Sequence, residues 1–330
     1  MSPPAGFEFE SPLFHVTHLS DDMDQARTVY QRLFRRPILD AGFWELGGRW
    51  AFFVYLGDVW VEAAYADERP SGLRSFLNRF GSRLHSLAWY VKGIDDLANT
   101  LRDAKSRFAE DPDPAVAYRS FSVENNVARR VPRHGPIPLP PGYRHTFDPD
   151  WRSAVVYTHF RDTHGMLEFC EPTSYHVMPP RVPDEDMIVL PDQDPLGLVR
   201  SSHHTIVVHD VAAARSFWLD TMGATLLAHG HNEPLGTDSA WVRVGNDSGT
   251  VLELAQPIED GPARSDLDTC GLPILHTVNF VVNDLARARE HIQSVGMTVE
   301  TGTASLIVTD PSTTAGARFG FTSSSEPWLA

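Results

Sequence analysis

Four times along the chain an apolar run opens on a histidine, passes into a stretch with helical spacing and continues into further short apolar runs. The first copy predicts a strand from Leu13 to Leu19, a helix over about Asp22 to Phe34, and strands in RPILDAGFWEL, WAFFVYL and DVWVEAA. The third repeats that order with HHTIVVHD, a helix across Val211 to Thr221, GATLLAHG, SAWVRVG and TVLELAQ. Asp22 and Asp210 stand at the helix entrances, where a carboxylate accepts from the free backbone N–H groups of the first turn. The second copy starts at His85 in LHSLAWYV, has its helix near Ile94 to Arg107, and reaches AVVYTHF and GMLEFC only after a Pro-rich interruption. The fourth starts at His276 in LHTVNFVV, with a helix at Asp284 to Val295 and strands in MTVET, SLIVTD and ARFGFT. Strand period giving way to helix period and back, four times over, predicts an α+β chain of four βαβββ modules.

At 330 residues the chain exceeds one small core, and a prior of about 150 residues per domain gives two. The prolines and acidic residues of EPTSYHVMPPRVPDEDMIVLPDQDP suit a linker. The expected domains are therefore 1–185, with modules one and two, and 186–330, with modules three and four. One large insertion, 109–152, carries Arg119, Arg129, Arg130, Arg133, Arg144 and Arg152. Loops of that length are often functional. It reads either as a lid whose arginines meet an anionic group or as a surface arm or subunit contact.

Composition narrows the partners. A net charge of -15 opposes non-specific attraction to nucleic acid or an anionic membrane, which leaves small molecules. The hydrophobic fraction of 42% suffices for a packed interior. Two cysteines, Cys170 and Cys270, cannot build a disulfide framework, so a reducing cytoplasm is the expected location. No segment approaches the roughly 20 apolar residues of a membrane span, and the N-terminus lacks a signal pattern.

The candidate chemistry lies in the recurrence itself. His15 precedes Glu62, His85 precedes Glu168, and His203 precedes Glu253, whereas His276 precedes only Gly320 in ARFGF. Each glutamate sits in an apolar strand, where an ionised carboxylate without a partner costs several kcal/mol. Something must compensate it. Imidazole and carboxylate are ligands that borderline divalent metals accept. Alternation along a strand puts His15 on one face with Thr17, and His203 with Thr205, while His204 falls with Ile206. His15 and His203 both lie seven residues before their capping Asp, a register that favours His203 over His204 without deciding it. From His85 to Gly93 and from His276 to Asp284 the count is eight, so a bulge or slipped strand can turn those two histidines.

These residues resemble the vicinal oxygen chelate superfamily, which includes glyoxalase I, bleomycin-binding proteins, several epimerases and extradiol ring-cleaving dioxygenases. The resemblance implies modules paired into two half-barrel domains, each cleft able to take a divalent metal ion (Fe, Zn, Ni, Mn or Co). It implies His15, Glu62, His85 and Glu168 as one ligand set, and His203, Glu253 and His276 as an incomplete second, since Gly320 stands where the fourth carboxylate would fall. Other relatives pair module one with four and two with three. The implied activity is a metal-dependent isomerase, epimerase or lyase acting on a hydroxy-carbonyl compound, with Glu62 and Glu168 as the catalytic carboxylates. The alternatives are an Fe(II) extradiol-type dioxygenase using His203, Glu253 and His276, and a metal-free small-molecule binding protein. The resemblance also allows a homodimer.

Overall fold

A computed structural model of the chain describes residues 6–44, 49–68, 71–106, 121–124, 127–130, 154–172, 183–324, 326 and 328. Nine strands form the first sheet: β1 (Glu8–Leu19), β2 (Leu39–Trp44), β3 (Arg49–Leu56), β4 (Val59–Ala66), β5 (Arg83–Lys92), β6 (Phe121–Glu124), β7 (Val127–Arg130), β8 (Ala154–Tyr157) and β9 (Met166–Cys170), in the order β2-β3-β4-β1-β5-β9-β8-β7-β6. Eight form the second: β10 (Leu198–Val207), β11 (Thr225–Asn232), β12 (Thr237–Val244), β13 (Thr250–Pro257), β14 (Ile274–Val282), β15 (Val299–Gly302), β16 (Leu306–Thr309) and β17 (Phe319–Thr322), in the order β11-β12-β13-β10-β14-β17-β16-β15. Modules one and two join through antiparallel β1 and β5, and modules three and four through β10 and β14. Module one therefore pairs with two and three with four.

The opening helices of modules one and three, α1 (Met23–Val29) and α5 (Val211–Ser216), begin as expected. Asp22 accepts from Gln25 N–H and Asp210 from Ala213 N–H. Each runs on into a π-helical turn, Tyr30–Phe34 and Phe217–Thr221, whose extra residue swings large aromatics into the interior. Phe34 packs edge-on against Phe319 of the second sheet, with centroids 5.0 Å apart, and Trp218 reaches Trp89 of the first at 5.9 Å. Each half thus lends aromatic side chains to the other's sheet, and one continuous core spans both.

Two further helices, α3 (Ile94–Asp103) and α7 (Leu285–Ser294), follow β5 and β14, and a short one, α4 (Phe160–Thr163), precedes β9. Between the modules of each half lie α2 (Gly72–Phe80) and α6 (Pro262–Cys270), which the hydrophobic pattern had not singled out. Within the insertion, β6 and β7 form a hairpin that gives the first sheet its extra strand. Arg129 and Arg130 lie in β7, and Arg119, Arg133, Arg144 and Arg152 fall outside the described residues. Cys170 and Cys270 are buried and unpaired. No helix among the described residues is long and apolar enough to cross a membrane.

Candidate active site

In the first sheet, β1 runs parallel to β4 with Thr17 opposite Glu62, and β5 runs parallel to β9 with Ala88 opposite Glu168. Because His15 also faces Ala88 across β1 and β5, the imidazole and both carboxylates come to one face. His15 Nε2 lies 3.4 Å from Glu62 Oε2 and 3.6 Å from Glu168 Oε2. All three side chains are fully buried. Burial favours the neutral imidazole, but Glu168 and Glu62 outweigh it and raise the His15 pKa above its ordinary value.

Sequence reasoning missed two members of this cluster. Thr17 donates its hydroxyl to Glu62 Oε2 at 3.1 Å, and Arg49, at the start of β3, clamps the same carboxylate with Nε on Oε1 at 2.9 Å and Nη2 on Oε2 at 3.3 Å. Parity along β1 had placed Thr17 beside His15 and could have found it. Arg49, in GGRWAFFVYL, looked like an ordinary strand-end arginine. Burial opposes ionisation of Glu62, yet Arg49 and then His15 hold its carboxyl below the usual range. Glu168 has a looser environment. Its Oε1 accepts from the Tyr157 hydroxyl at 3.2 Å and lies 3.5 Å from Cys170 Sγ. Phe14, Phe53, Trp60 and Tyr90 pack beside the cluster, with Tyr55, Tyr157 and Met187 at its more open edge.

His85 does not join this group. The register passes from Thr17 opposite Ser86 to His18 opposite Leu84, so His85 is the extra residue of a β-bulge. Its ring lies between Phe76 of α2 and Phe160 of α4, at centroid distances of 4.6 and 5.5 Å. Burial, and next the charge of Arg49, lower its pKa to about 3, so it stays neutral.

The second sheet repeats the His-Thr-Glu arrangement with other supports. His203 Nε2 stands 3.5 Å from Glu253 Oε2, which also accepts from Thr205 at 2.7 Å. Glu253 Oε1 accepts from Asn232 at 2.6 Å and Ser239 at 2.7 Å. His203, not His204, therefore occupies the place of His15. His204 lies on the other face, fully buried, with no hydrogen-bond partner for either ring nitrogen. At β14 the register again skips a residue: Thr205 faces Thr277 and Ile206 faces Leu275, leaving His276 in the bulge. Its Nδ1 lies 2.8 Å from Asp266 Oδ2, away from Glu253. Gly320 lies opposite Asn279, as Glu168 lies opposite Ala88. A Cβ at Gly320 would stand 1.8 Å from Asn279 Oδ1, so the amide fills the space of a fourth carboxylate.

The imidazole and carboxylates of the first cluster are of a type that metals accept, but their arrangement does not fit a resident ion. Arg49 and Thr17 already engage Glu62, and the bulge withdraws His85. Among the described residues, no group of three or more His, Cys, Asp or Glu side chains is placed to hold a metal ion. What the arrangement offers directly is a buried imidazole whose Nε2 lies within ion-pair distance of two carboxylates, which favours its protonated form.

Comparison with known proteins agrees with this geometry at the level of the fold. Residues 202–310 match the family model of the Glyoxalase/Bleomycin resistance protein/Dioxygenase superfamily. A triple mutant of 4-hydroxymandelate synthase from Streptomyces coelicolor superposes with a TM-score of 0.61 at 12% identity, covering 97% of this chain and 92% of that one. The 2,3-dioxygenase LapB from Pseudomonas sp. KL28 superposes at 0.53 and 12% identity, covering 96% and 92%. No curated protein matches the sequence significantly.

Proposed function

From a chain that has the paired-module fold of the glyoxalase/bleomycin resistance protein/dioxygenase superfamily, with that family's sequence pattern over residues 202–310, we propose an enzyme that moves a proton on a small hydroxy-carbonyl compound, as an isomerase, epimerase or lyase. The observation that carries the reading is the convergence of His15 on two buried carboxylates. Glu168, whose Oε1 accepts from the neutral Tyr157 hydroxyl and lies near the Cys170 thiol, is the base that takes a proton from the carbon beside the carbonyl. His15 returns a proton to the developing oxyanion. Glu62, fixed by Arg49 and Thr17, positions the imidazole. The aromatic side chains beside the cluster favour a substrate with an apolar body next to its oxygens.

The dioxygenase reading draws less support, because His276 is bonded to Asp266 rather than placed with His203 and Glu253. A small-molecule binding protein without turnover is the second reading, favoured by the saturation of Glu62 by Arg49 and Thr17.

Solvent deuterium exchange into a panel of α-hydroxy ketones and 2-substituted acyl thioesters tests the proposal. Incorporation by the native chain, abolished in Glu168→Gln and without oxygen uptake, is the expected result. Tight binding with no incorporation would favour the binding protein, and oxygen uptake the dioxygenase.

A further inference from the structure

The two halves solve one electrostatic problem in different ways. Strand register makes Arg49 equivalent to Thr237, since Arg49 faces Ala66, four residues past Glu62, and Thr237 faces Pro257, four past Glu253. It likewise makes Glu168 equivalent to Gly320. The half with a second carboxylate has the arginine, and the half without one has a threonine in its place. Leaving the imidazoles aside, Glu62, Glu168 and Arg49 sum to one negative charge, as does Glu253 alone. A protonated His15 neutralises the first centre.

In the first centre Arg49 is 3% exposed and its guanidinium contacts both oxygens of Glu62. Its charge also acts on Glu168 and on Tyr157. The bulged His85 also feels Arg49 as its strongest charged neighbour. A buried carboxylate pair needs a cation, and an arginine fork satisfies that need with fixed geometry and permanent charge. A divalent ion added to this set would leave an uncompensated positive charge beside Arg49 in a medium of low dielectric.

We infer that Arg49 is the resident cation of the first centre, standing where a two-histidine, two-carboxylate set would hold a metal ion, and that the centre exchanges protons without one. The inference builds on the proton-transfer reading above, but its test is a binding measurement independent of turnover. The full chain is dialysed against chelator and titrated calorimetrically with Co²⁺ and Zn²⁺ at neutral pH, beside Arg49→Met, Arg49→Lys and the double variant Arg49→Met with His15→Ala.

The native chain and Arg49→Lys are expected to show no saturable site that depends on His15. Arg49→Met, which frees both oxygens of Glu62, is expected to gain one equivalent of binding, at least about tenfold tighter than the native background. The double variant is expected to lose it. Arg49→Lys retains a buried cation and keeps the inference falsifiable if Arg49→Met does not fold. One equivalent bound by the native chain or by Arg49→Lys, and lost when His15→Ala is added to that chain, overturns the inference. So does a folded Arg49→Met that gains nothing. Absence of deuterium exchange alongside the expected titrations would remove the enzymatic reading and leave Arg49 as the resident cation.

Discussion

Phe76 and Asp266 occupy the same place in duplicated helices, five residues into α2 and α6, and each meets the bulged histidine of the strand that follows. The aromatic partner leaves His85 a neutral packing group. The carboxylate partner bonds His276 to Asp266, whose ion pairs with arginines cross between the halves. Asp266 Oδ2 accepts from Arg318 at 2.7 Å and Oδ1 from Arg83, in the first sheet, at 3.0 Å. Asp266→Ala would take from Arg83 its carboxylate partner and leave Arg318 with Glu300 alone at the junction. We expect a loss of about 3 kcal/mol, by analogy with breaking other buried pairs. A urea unfolding midpoint within error of the native value would show that the network contributes nothing.

Three buried histidines govern the response to acid. Burial lowers His18 to a pKa of about 4 despite the carbonyl of Ala315, and His85 and His204 to about 3, against an ordinary value of 6.5. In each, the unfolded chain takes up a proton before the folded one does. The stability they permit is complete above 6.5 and is lost as pH falls from there toward 4 and 3. At pH 5 each costs about 2 kcal/mol. His15 acts in the opposite sense, since its raised pKa adds stability below 6.5 that is lost as pH rises through the folded value. Glu62, Glu253 and Asp266, all depressed, add to acid lability only below about 4.5. The net expectation is a loss of about 5 kcal/mol between pH 7.5 and 5, the sum for the three histidines less the smaller part that His15 returns. Urea midpoints that do not move over that interval would contradict it.

His204 stands where module one has Val16, which is also fully buried. With both ring nitrogens unpartnered, the imidazole carries a desolvation cost that no hydrogen bond returns. His204→Leu, close in volume, is expected to stabilise the chain by about 1 kcal/mol and to remove one proton from the acid transition. The proton count comes from the slope of stability against pH. A destabilised variant with an unchanged slope would show that the ring makes contacts worth more than its desolvation.

What the sequence disclosed of this site follows from what a linear pattern records. Period and spacing are local, so the four modules and the caps at Asp22 and Asp210 could be read directly, while the match of His15 with His203 over His204 was favoured by register but left undecided. The eight-residue count before Gly93 and Asp284 signalled a bulge, but not where the displaced rings would go. That depended on Phe76 and Asp266, in short helices with too few turns to leave a clear periodic signal. Arg49 was invisible for a related reason. An arginine at a strand end normally reaches solvent, and only the closing of β3 onto β4 and β1 turns it onto Glu62.

The replacement of a fourth carboxylate by the Asn279 amide at Gly320 can be tested by rebuilding. Gly320→Glu alone would drive a new Cβ into Asn279 Oδ1, and the amide cannot simply swing away while it donates to Thr205 Oγ1 at 3.2 Å and Thr277 Oγ1 at 3.0 Å. The single change should cost about 3 kcal/mol. Adding Asn279→Ala recreates the Ala88 and Glu168 pairing of the first half, so the clash disappears. The new carboxylate is still buried with a threonine, Thr237, where the first half has Arg49. The two substitutions should therefore be coupled by at least about 1 kcal/mol in a double-mutant cycle, while the pair remains less stable than the native chain. Strict additivity would mean that Asn279 does not occupy the place of the missing carboxylate.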